Sequence, residues 1–365
     1  MPCLVVVARF VWPLHLPISV RLAAAVVLVV ASQFHFWSQL SSGSVFAPEF
    51  ARPVVILFNW AFGAMLLLAP MQLLLDAGTL ITMLIHGGSV SVPDGARYGL
   101  GAVAAILSGI GVGQALRVPP LKDLEIEIRG LSPRFDGYTL LQLTDLHISR
   151  LFPVEWSRAV VERSNRLGVD LIVVTGDVID GALASRLADV EPLRGLKAAY
   201  GVYVVPGNHE YFFDYQAWMT HYAEMGMHVL ENDHVVLDRD GGKLVIAGVT
   251  DLSASHTRHP APNLASALEG APKDAPVILL DHQPRQARRS ASFGVALQLS
   301  GHTHGGMIFG LDRLTARANN GFVSGRYDVD GMTLYVNNGT ALWPGFAVRL
   351  GRPSELTRIT LRAAD

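Results

Sequence analysis

The feature that most constrains the fold of this chain is the near absence of charge from its first 118 residues. This part holds 5 of the 29 Lys and Arg residues and 3 of the 31 Asp and Glu residues of the 365-residue sequence. It also contains three apolar runs, at 22–40, 54–85 and 98–116. A helix needs about 20 predominantly apolar residues to cross a bilayer. We therefore expect an all-α transmembrane region of about three helices, rather than a soluble helical core.

The individual runs differ in how simply they can be interpreted. The second is longer than one span requires and carries Pro70, and we interpret it as one tilted or kinked helix with an interfacial extension. Residues 1–19 are interrupted by Pro13 and Pro17, and we do not expect them to span. A cleaved signal peptide would explain one run but not three. The arginines divide evenly between the two sides of a three-span bundle, so the positive-inside rule leaves the orientation open.

Residues 119–365 have the composition of a globular domain. They hold the remaining charged residues and ten of the 13 histidines, and they are long enough for one large domain. The net charge of −2 argues against nucleic acid as the main partner. The one cysteine, Cys3, excludes a disulfide framework and a thiolate metal site. We therefore expect two domains, at 1–118 and 119–365.

One pattern recurs five times in the second part: an apolar strand ends in a polar residue of a type that binds metals. Strands alternate with helices between 139 and 225, which predicts βαβ units, and short strands dominate after 227, which suggests a second sheet packed on the first. In sheets flanked by helices, ligands gather at the carboxyl ends of the strands. The polar residues at these strand ends are Asp145, His147, Asp177, Asp180, Asn208, His209, His282, His302 and His304.

The stretch Gly301-His302-Thr303-His304-Gly305-Gly306 is the most informative of these strand ends. In extended backbone, side chains at i and i+2 lie on the same face, so the two imidazoles can point into one small volume. Two converging imidazoles form a natural metal site. An isolated pair would be more simply explained as two unrelated loop histidines. Here the other strand ends can supply the remaining ligands.

Taken in order, five motifs resemble those of the calcineurin-like metallophosphoesterases. The motifs are Asp145-x-His147, Gly176-Asp177-x-x-Asp180, Gly207-Asn208-His209-Glu210, His282 and Gly301-His302-x-His304. Each motif is weak alone, but the ordered set is specific, and the match covers roughly residues 122–362. The resemblance implies an α/β fold with four α-β-β-α layers, in which helices flank a double β-sandwich that carries a two-metal site.

The resemblance also implies a role for each residue. The implied ligands are Asp145, His147, Asp177 and His304 for the first metal and Asn208, His282 and His302 for the second, with Asp177 as the bridge. His209 would lie beside the scissile phosphate. Asp180 can orient His209 or cap the following helix, and the two roles are equally open. Glu210 and Asp281 are weaker candidates for supporting contacts.

Hydrolysis of phosphate esters is a reaction that such a ligand set can support through bound metal ions. Carboxylate, imidazole and amide ligands without thiolate suit two divalent ions, with Mn expected and Fe or Zn as alternatives. Two cations about 3.5–4 Å apart neutralise the phosphate and lower the pKa of a bridging water. His209 can stabilise the developing charge or protonate the leaving oxygen. We expect a hydrolase that cleaves phosphodiester or pyrophosphate bonds through a metal-bridging hydroxide.

Within the superfamily, the membrane segments and the Gly-His-Thr-His-Gly-Gly form resemble a bacterial membrane-anchored branch. This branch has phosphodiesterase and UDP-diacylglucosamine pyrophosphohydrolase-like members. The resemblance implies a multi-pass protein of the cell (inner) membrane, and the anchor favours a lipid-linked or cell-envelope substrate. Met307 stands where the branch usually has Gln, which puts one pocket contact in doubt. Arg349 can reach a phosphate or form a structural salt bridge.

Two other classes of function remain open at this point. A non-catalytic metal-binding regulatory domain on a membrane bundle would predict lost ligands, and none is lost. A transporter or channel with a regulatory domain would predict ionisable residues inside the membrane. Asp76 and His86 are the candidates for such residues, and both can lie at an interface.

Overall fold

The computed structural model describes residues 1–364, and these separate into two units. The helical unit comprises Met1–Ala115 and the short segment Pro344–Leu350. The sheet unit comprises Leu116–Trp343 and the C-terminal residues from Gly351 onward. The sequence-based boundary between 118 and 119 stays a prediction. The inclusion of Pro344–Leu350 among the helices is a feature that the sequence did not indicate.

Helices form the whole regular structure of the helical unit. They are α1 (Pro2–Val11), α2 (Ile18–Ser32), α3 (Phe34–Ser42), α4 (Arg52–His86) and α5 (Asp94–Ala115). Only α4 and α5 are singly long and apolar enough to cross a membrane, and α2 with α3 forms a pair bent by 54° that counts as a third span if taken together. The prediction of a helical region with about three apolar helices is thereby confirmed.

The ends of α4 follow from its sequence. Pro53 lies in the first turn, where a missing N–H costs nothing, and Gly87 ends the helix with a left-handed φ of 67°. The helix continues through Pro70 as one element. Proline is tolerated within apolar membrane helices because neighbouring groups can satisfy the freed carbonyl.

The segment Pro344–Leu350 lies against α4 and α5 within the helical unit. Asn59 Nδ2 donates to the carbonyl of Pro344 at 2.8 Å, and its Oδ1 accepts from the backbone N–H of Ala347 at 2.6 Å. The side chain of Val348 packs closely against Gly111 of α5. A Cβ on this glycine would lie 2.6 Å from Val348. The buried amide of Asn59 thus satisfies the backbone of a segment that has no regular structure of its own.

The described residues of the sheet unit form twelve strands in two mixed sheets. The strands are β1 (Leu121–Arg129), β2 (Thr139–Leu143), β3 (Leu171–Thr175), β4 (Val202–Val205), β5 (His228–Val229), β6 (Asp233–Arg239), β7 (Gly242–Gly248), β8 (Val277–Leu280), β9 (Leu297–Ser300), β10 (Gly325–Val329), β11 (Met332–Val336) and β12 (Leu356–Ala364). The first sheet has the order β1-β12-β2-β3-β4-β5 and the second the order β10-β11-β9-β8-β7-β6. Strands β2 to β5 run parallel in the first sheet, as do β7, β8, β9 and β11 in the second.

The two sheets share one apolar core. Leu140 and Val173 of the first sheet belong to the same buried cluster as Ile246 and Leu299 of the second. The parallel central strands β3, β8 and β9 are buried over their full length. This burial on both faces explains why β3 and β8 are nearly continuous apolar runs rather than alternating ones.

Six helices accompany the sheets. They are α6 (Val154–Asn165), α7 (Leu183–Val190), α8 (Tyr215–Glu224), α9 (Leu264–Ala267), α10 (Ala287–Ser292) and α11 (Asp312–Ala318). Leu264 of α9 and Ala287 of α10 pack with Leu279 of β8 in a separate cluster that does not include the first sheet. The predicted α/β sandwich of two sheets with helices is confirmed.

Two local features go beyond what the sequence indicated. Helix α7 ends at Val190, and Glu191–Gly195 forms a tighter 3₁₀ turn with a proline in its first turn. Strand β10 was not predicted, because exposed polar residues interrupt its apolar pattern. Neither difference moves a strand end that carries a predicted metal ligand.

Candidate metal centre

The predicted ligands leave their strands through an uncommon backbone conformation. Within residues 1–364, five of the eleven non-glycine residues with positive φ are predicted metal ligands. They are Asp145 (φ 51°), His147 (φ 43°), Asp177 (φ 53°), His302 (φ 69°) and His304 (φ 50°). This conformation costs free energy in residues with a side chain, and it concentrates at functional sites. Here it turns each ligand sharply out of the end of a buried strand.

The first cluster of side chains comes from the ends of β2 and β9. The ligand atoms of Asp145, His147 and His304 all lie within 4.8 Å of one another, and the three residues are buried. The Nε2 atoms of the two imidazoles are 3.3 Å apart. The Nε2 atom of His304 is 3.6 Å from Oδ1 of Asp145. Three lone-pair donors thus face one small volume.

The second cluster joins residues from β3, β4, β8 and β9. His282 Nε2 lies 3.3 Å from Oδ2 of Asp177 and 3.1 Å from Oδ1 of Asn208. His302 Nδ1 lies 2.8 Å from the same amide oxygen. This set again offers carboxylate, amide and imidazole donors to one point.

Asp177 connects the two clusters. Its Oδ2 lies 3.8 Å from Nε2 of His147 in the first cluster, in addition to its contact with the second. The structure therefore brings all seven residues that the sequence nominated as metal ligands into one largely buried region. The donor set fits two divalent cations that share one carboxylate.

Hydrogen bonds fix how two of the imidazoles present their lone pairs. The Nδ1–H of His282 donates to the carbonyl of Thr175 at 2.8 Å, and the Nδ1–H of His147 donates to Oδ2 of Asp180 at 3.0 Å. Each bond leaves Nε2 of the imidazole facing Asp177. Metal-binding histidines commonly hold their second nitrogen in this way, because the bond fixes both tautomer and ring orientation.

Electrostatics give two of the predicted ligands, Asp177 and His302, charge states that suit metal binding. Burial raises the pKa of Asp177 by itself, but the positive charges of His282 and His209 outweigh it and hold that pKa well below its usual range. Burial, together with the charge of His282, lowers the pKa of His302 to about 3. A permanently ionised carboxylate and a neutral imidazole are the forms that bind a divalent cation.

Two glycines of the motifs are required by close approach. A Cβ on Gly207 would lie 2.2 Å from Oδ1 of Asp177, and a Cβ on Gly301 would lie 2.4 Å from Oδ2 of Asp145. Both distances are shorter than any real contact. The two carboxylates therefore lie directly against the backbone of the neighbouring loop.

His209 lies at the edge of both clusters. Its Nδ1–H donates to Oδ1 of Asp180, its Nε2 is 3.9 Å from Oδ2 of Asp177, and its ring packs against that of Phe212 at 5.1 Å. Burial lowers the pKa of His209, but the charges of Asp177 and Asp180 raise it to about 9. The ligand atoms of His147, Asp177 and His209 also lie within 4.8 Å, so the geometry alone permits His209 as a ligand too.

Asp180 accepts hydrogen bonds from two imidazoles. Its two oxygens bind the Nδ1 atoms of His147 and His209, and its side chain is fully buried. The following helix α7 has Ala182 as its N-cap and no side-chain cap. The capping alternative for Asp180 is therefore wrong.

Glu210, which the sequence indicated only as a weaker candidate for supporting contacts, makes more hydrogen bonds near the site than expected. Its carboxylate accepts from the backbone N–H groups of Asp177 at 3.1 Å, Val178 at 2.8 Å and Gly207 at 2.7 Å. The hydroxyl of Tyr222 donates to it at 3.1 Å. One buried carboxylate thus joins the two loops that carry Asp177 and Asn208. Its position directly after the Asn-His pair was the only sequence signal.

Two other residues, Asp281 and Arg349, were nominated outside the predicted ligand set. The carboxylate of Asp281 accepts from Gln298 Nε2 at 3.4 Å, and burial with the charge of Asp251 raises its pKa to about 8. Arg349 is fully buried and belongs to the helical unit, where its backbone N–H donates to the carbonyl of Gly111 at 3.0 Å. Contact between Arg349 and a phosphate stays a prediction.

Comparison with known proteins agrees with this geometry. Residues 138–306 match the family model described as calcineurin-like phosphoesterase. The chain is 32% identical over 271 residues to "Transmembrane protein with metallophosphoesterase domain" of Danio rerio, an alignment that covers 72% of this chain and 62% of that protein. It is 32% identical over 250 residues to "Uncharacterized metallophosphoesterase" of Helicobacter pylori, covering 68% of this chain and 65% of that protein.

A Bacillus subtilis relative is matched over nearly its whole length. The chain is 31% identical over 282 residues to "Uncharacterized metallophosphoesterase YkuE", which covers 73% of this chain and 96% of that protein. The chain spans less than two thirds of the Danio rerio and Helicobacter pylori relatives, at 62% and 65% of their lengths. Family model, relatives and ligand geometry agree, and the chain therefore belongs to the calcineurin-like phosphoesterase family.

Proposed function

We propose that the chain is a membrane-anchored hydrolase that uses two divalent cations to cleave phosphodiester or pyrophosphate bonds. Membership of the family supports metal-dependent phosphoester hydrolysis. The observation that carries the proposal is the pair of buried donor clusters joined by Asp177. A complete set of donors without thiolate would serve little purpose in a purely structural domain.

Each donor has a defined task in this proposal. The first cation would be held by Asp145, His147, Asp177 and His304, and the second by Asp177, Asn208, His282 and His302. When bound, the two cations supply charge neutralisation for the phosphate and lower the pKa of water in the site. Mn²⁺ is the proposed metal, because oxygen and imidazole ligands suit it.

His209 would act on the substrate rather than on a metal. Its Nδ1–H is directed to Asp180, which leaves Nε2 facing the site. The charges of Asp177 and Asp180 raise the pKa of His209, which favours the protonated form of the imidazole. It can therefore give a proton to the leaving oxygen or stabilise the charge that develops there.

The helical unit supports the membrane part of the proposal. Helices α4 and α5 are long and apolar enough to span, and two relatives carry the word "transmembrane" in their names. We propose a multi-pass protein of the cell (inner) membrane that acts on a lipid-linked or cell-envelope phosphoester. Asp76 is paired with Arg9 at 2.8 Å and with Gln72 at 2.8 Å, so it offers less support for a transport function.

The test uses the full chain purified in detergent, stripped of metal and then supplied with Mn²⁺, Fe²⁺ or Zn²⁺. Hydrolysis of bis-p-nitrophenyl phosphate, p-nitrophenyl phosphate and a nucleoside-diphosphate lipid would be compared. We expect cleavage of a diester or pyrophosphate only with added metal, and its loss in Asp177→Asn. The exposed Asp274→Asn is the matched control and should behave as wild type.

Two results would contradict the proposal. Full hydrolysis by the metal-free chain would show that the clusters are not the reactive site. Two bound cations per chain without hydrolysis of any of the three substrates would favour the non-catalytic regulatory alternative.

A further inference from the structure

A six-residue stretch directly after the candidate metal centre displays large apolar side chains to solvent. Phe309 is 77% exposed, Leu311 42% and Leu314 60%. Among the described residues of the sheet unit, these are three of the six large apolar side chains that are exposed. Exposed apolar residues scattered singly are ordinary, but a cluster of them marks an interaction surface. We call residues 307–318 the flap.

The flap is held firmly in place, so its apolar display is not the result of a loose loop. Asp312 lies so close to Gly306 that a Cβ on the glycine would come within 2.4 Å of its Cα. The carboxylate of Asp312 accepts from the guanidinium of Arg352, and Ile308 pairs with Gly351 in an antiparallel bridge. The backbone is fixed while the apolar side chains point outward.

The flap also carries uncompensated positive charge. Arg313 and Arg317 are exposed, whereas its one acidic residue, Asp312, is engaged by Arg352. Asn320, just beyond the flap, donates its Nδ2–H to the carbonyl of Arg285 at 2.8 Å, which brings another exposed arginine next to it. The surface therefore combines apolar side chains with cations.

We infer that the flap docks on an anionic lipid bilayer, with Phe309, Leu311 and Leu314 in the headgroup–acyl boundary and the arginines on lipid phosphates. Apolar side chains next to exposed cations are the composition of interfacial membrane-binding segments. The same chain carries helices long enough to span a bilayer, so a bilayer is the one large apolar and anionic surface that it is proposed to meet constantly. A soluble protein partner is the competing occupant.

This inference deepens the proposed function, because it rests on membrane anchoring and concerns access to the same centre. The flap begins three residues after His304, so docking would place the centre beside phosphoesters carried by the lipid surface. Water-soluble substrates would not depend on the flap.

The docking test starts from the Cys3→Ser variant. Cys3 is the one cysteine of the chain, so a cysteine introduced into this variant is the single site for a label. Spin labels are placed on Phe309→Cys or Leu314→Cys in the full chain, reconstituted into vesicles of phosphatidylcholine with and without phosphatidylglycerol. The control is Phe293→Cys, because Phe293 is also an exposed aromatic residue, at 41%. It precedes the start of β9, whereas the metal centre lies at the end of that strand.

We expect the ratio of oxygen to nickel-chelate accessibility to be several-fold higher at 309 and 314 than at 293. Arg313→Gln with Arg317→Gln should reduce this ratio in anionic vesicles and leave it unchanged in neutral ones. Labels at 309 and 314 that are as water-accessible as the control would overturn the inference. Labels shielded from both quenchers would indicate a protein partner and would overturn it too.

Hydrolysis separates this inference from the proposed function. Phe309→Ser with Leu314→Ser should leave kcat/KM on soluble bis-p-nitrophenyl phosphate unchanged and lower it several-fold on a vesicle-borne phosphoester. Equal rates of wild type and variant on vesicles would reject the flap but not the hydrolase. No hydrolysis by either chain on either substrate, with lipid-exposed labels, would reject the hydrolase and keep the flap.

Discussion

At the scale of single residues, the question for His209 is whether it acts on the substrate or binds a metal. It shares Asp180 with the predicted ligand His147, but its own Nε2 lies at the edge of both donor clusters. The same geometry permits it as a ligand, so only a substitution can assign it.

For His209→Ala we expect nearly unchanged metal content and a strong loss of turnover. Positioned acid–base and charge-stabilising groups contribute roughly 10²–10⁴-fold in rate. The loss should be smaller for a nitrophenyl diester than for an alkyl diester, because a good leaving group needs less protonation. Metal analysis and kcat on both esters provide the measurement. Loss of metal with normal activity per occupied site would identify His209 as a ligand.

Asp180→Asn should affect both imidazoles that Asp180 binds. Substitution of a residue that orients a metal ligand typically costs about 10–100-fold in metal affinity or activity. We therefore expect weaker metal binding together with a lower kcat, measured by titration calorimetry and by steady-state kinetics at saturating metal. Recovery of full kcat at high metal concentration would show that Asp180 serves His147 alone.

At the scale of elements, the metal centre depends on how closely the loops at the strand ends approach one another. Glu210 ties the loop after β3 to the loop after β4, and the glycine before Asn208 leaves room for the shared carboxylate. The ligands are thus fixed by backbone contacts between loops as well as by their strands.

Gly207→Ala tests this packing. Its Cβ would meet Asp177 Oδ1 at 2.2 Å, so the shared carboxylate must move. We expect loss of metal binding and of activity, while the far-ultraviolet circular dichroism spectrum stays close to wild type. Gly195→Ala is the matched control, since its Cβ would have only an ordinary 3.5 Å contact with Val161. Normal metal content in Gly207→Ala would argue against this placement of Asp177.

Much of the sheet unit could be predicted from the sequence, because its strands have recognisable local sequence patterns. The central strands are buried apolar runs, and the polar residues at their ends follow directly. Asp180 was ambiguous because its two imidazole partners come together only in the folded chain. The left-handed backbone of Asp145 or His304 could not be anticipated, because local preference opposes it in residues other than glycine. Pro344–Leu350 was missed because an apolar loop gives no sign of which elements it packs against.

At the scale of the whole molecule, folding buries carboxylates of the metal centre, and their burial opposes folding. Asp145 and Asp177 are both buried, and burial raises the pKa of Asp145. A divalent cation that binds only the folded chain removes this problem and stabilises the fold by mass action.

Removal of metal should therefore lower the melting temperature. One cation at about 100 times its Kd stabilises by roughly 2.7 kcal/mol. Since one kcal/mol shifts the melting temperature of a 150–250-residue domain by about 2–4 °C, we expect a fall of roughly 5–11 °C per ion with a chelator. Differential scanning calorimetry with and without Mn²⁺ provides the measurement. Asp177→Asn should melt at one temperature in both conditions, and an unchanged melting temperature of wild type would speak against a bound metal.

The segment Pro344–Leu350 has a practical consequence for anyone who wishes to produce the sheet unit without the helices. A chain cut to begin at Leu116 would keep this segment but lose the helices against which it packs. Phe346 and Val348 would then face water, and the N–H of Ala347 would lose its bond to Asn59. We expect such a truncated chain to sediment in the absence of detergent, and Phe346→Ser with Val348→Ser to keep it in the supernatant. A soluble sheet unit must therefore be designed at two places in the sequence, since trimming the N-terminus removes only the larger part of the helical unit.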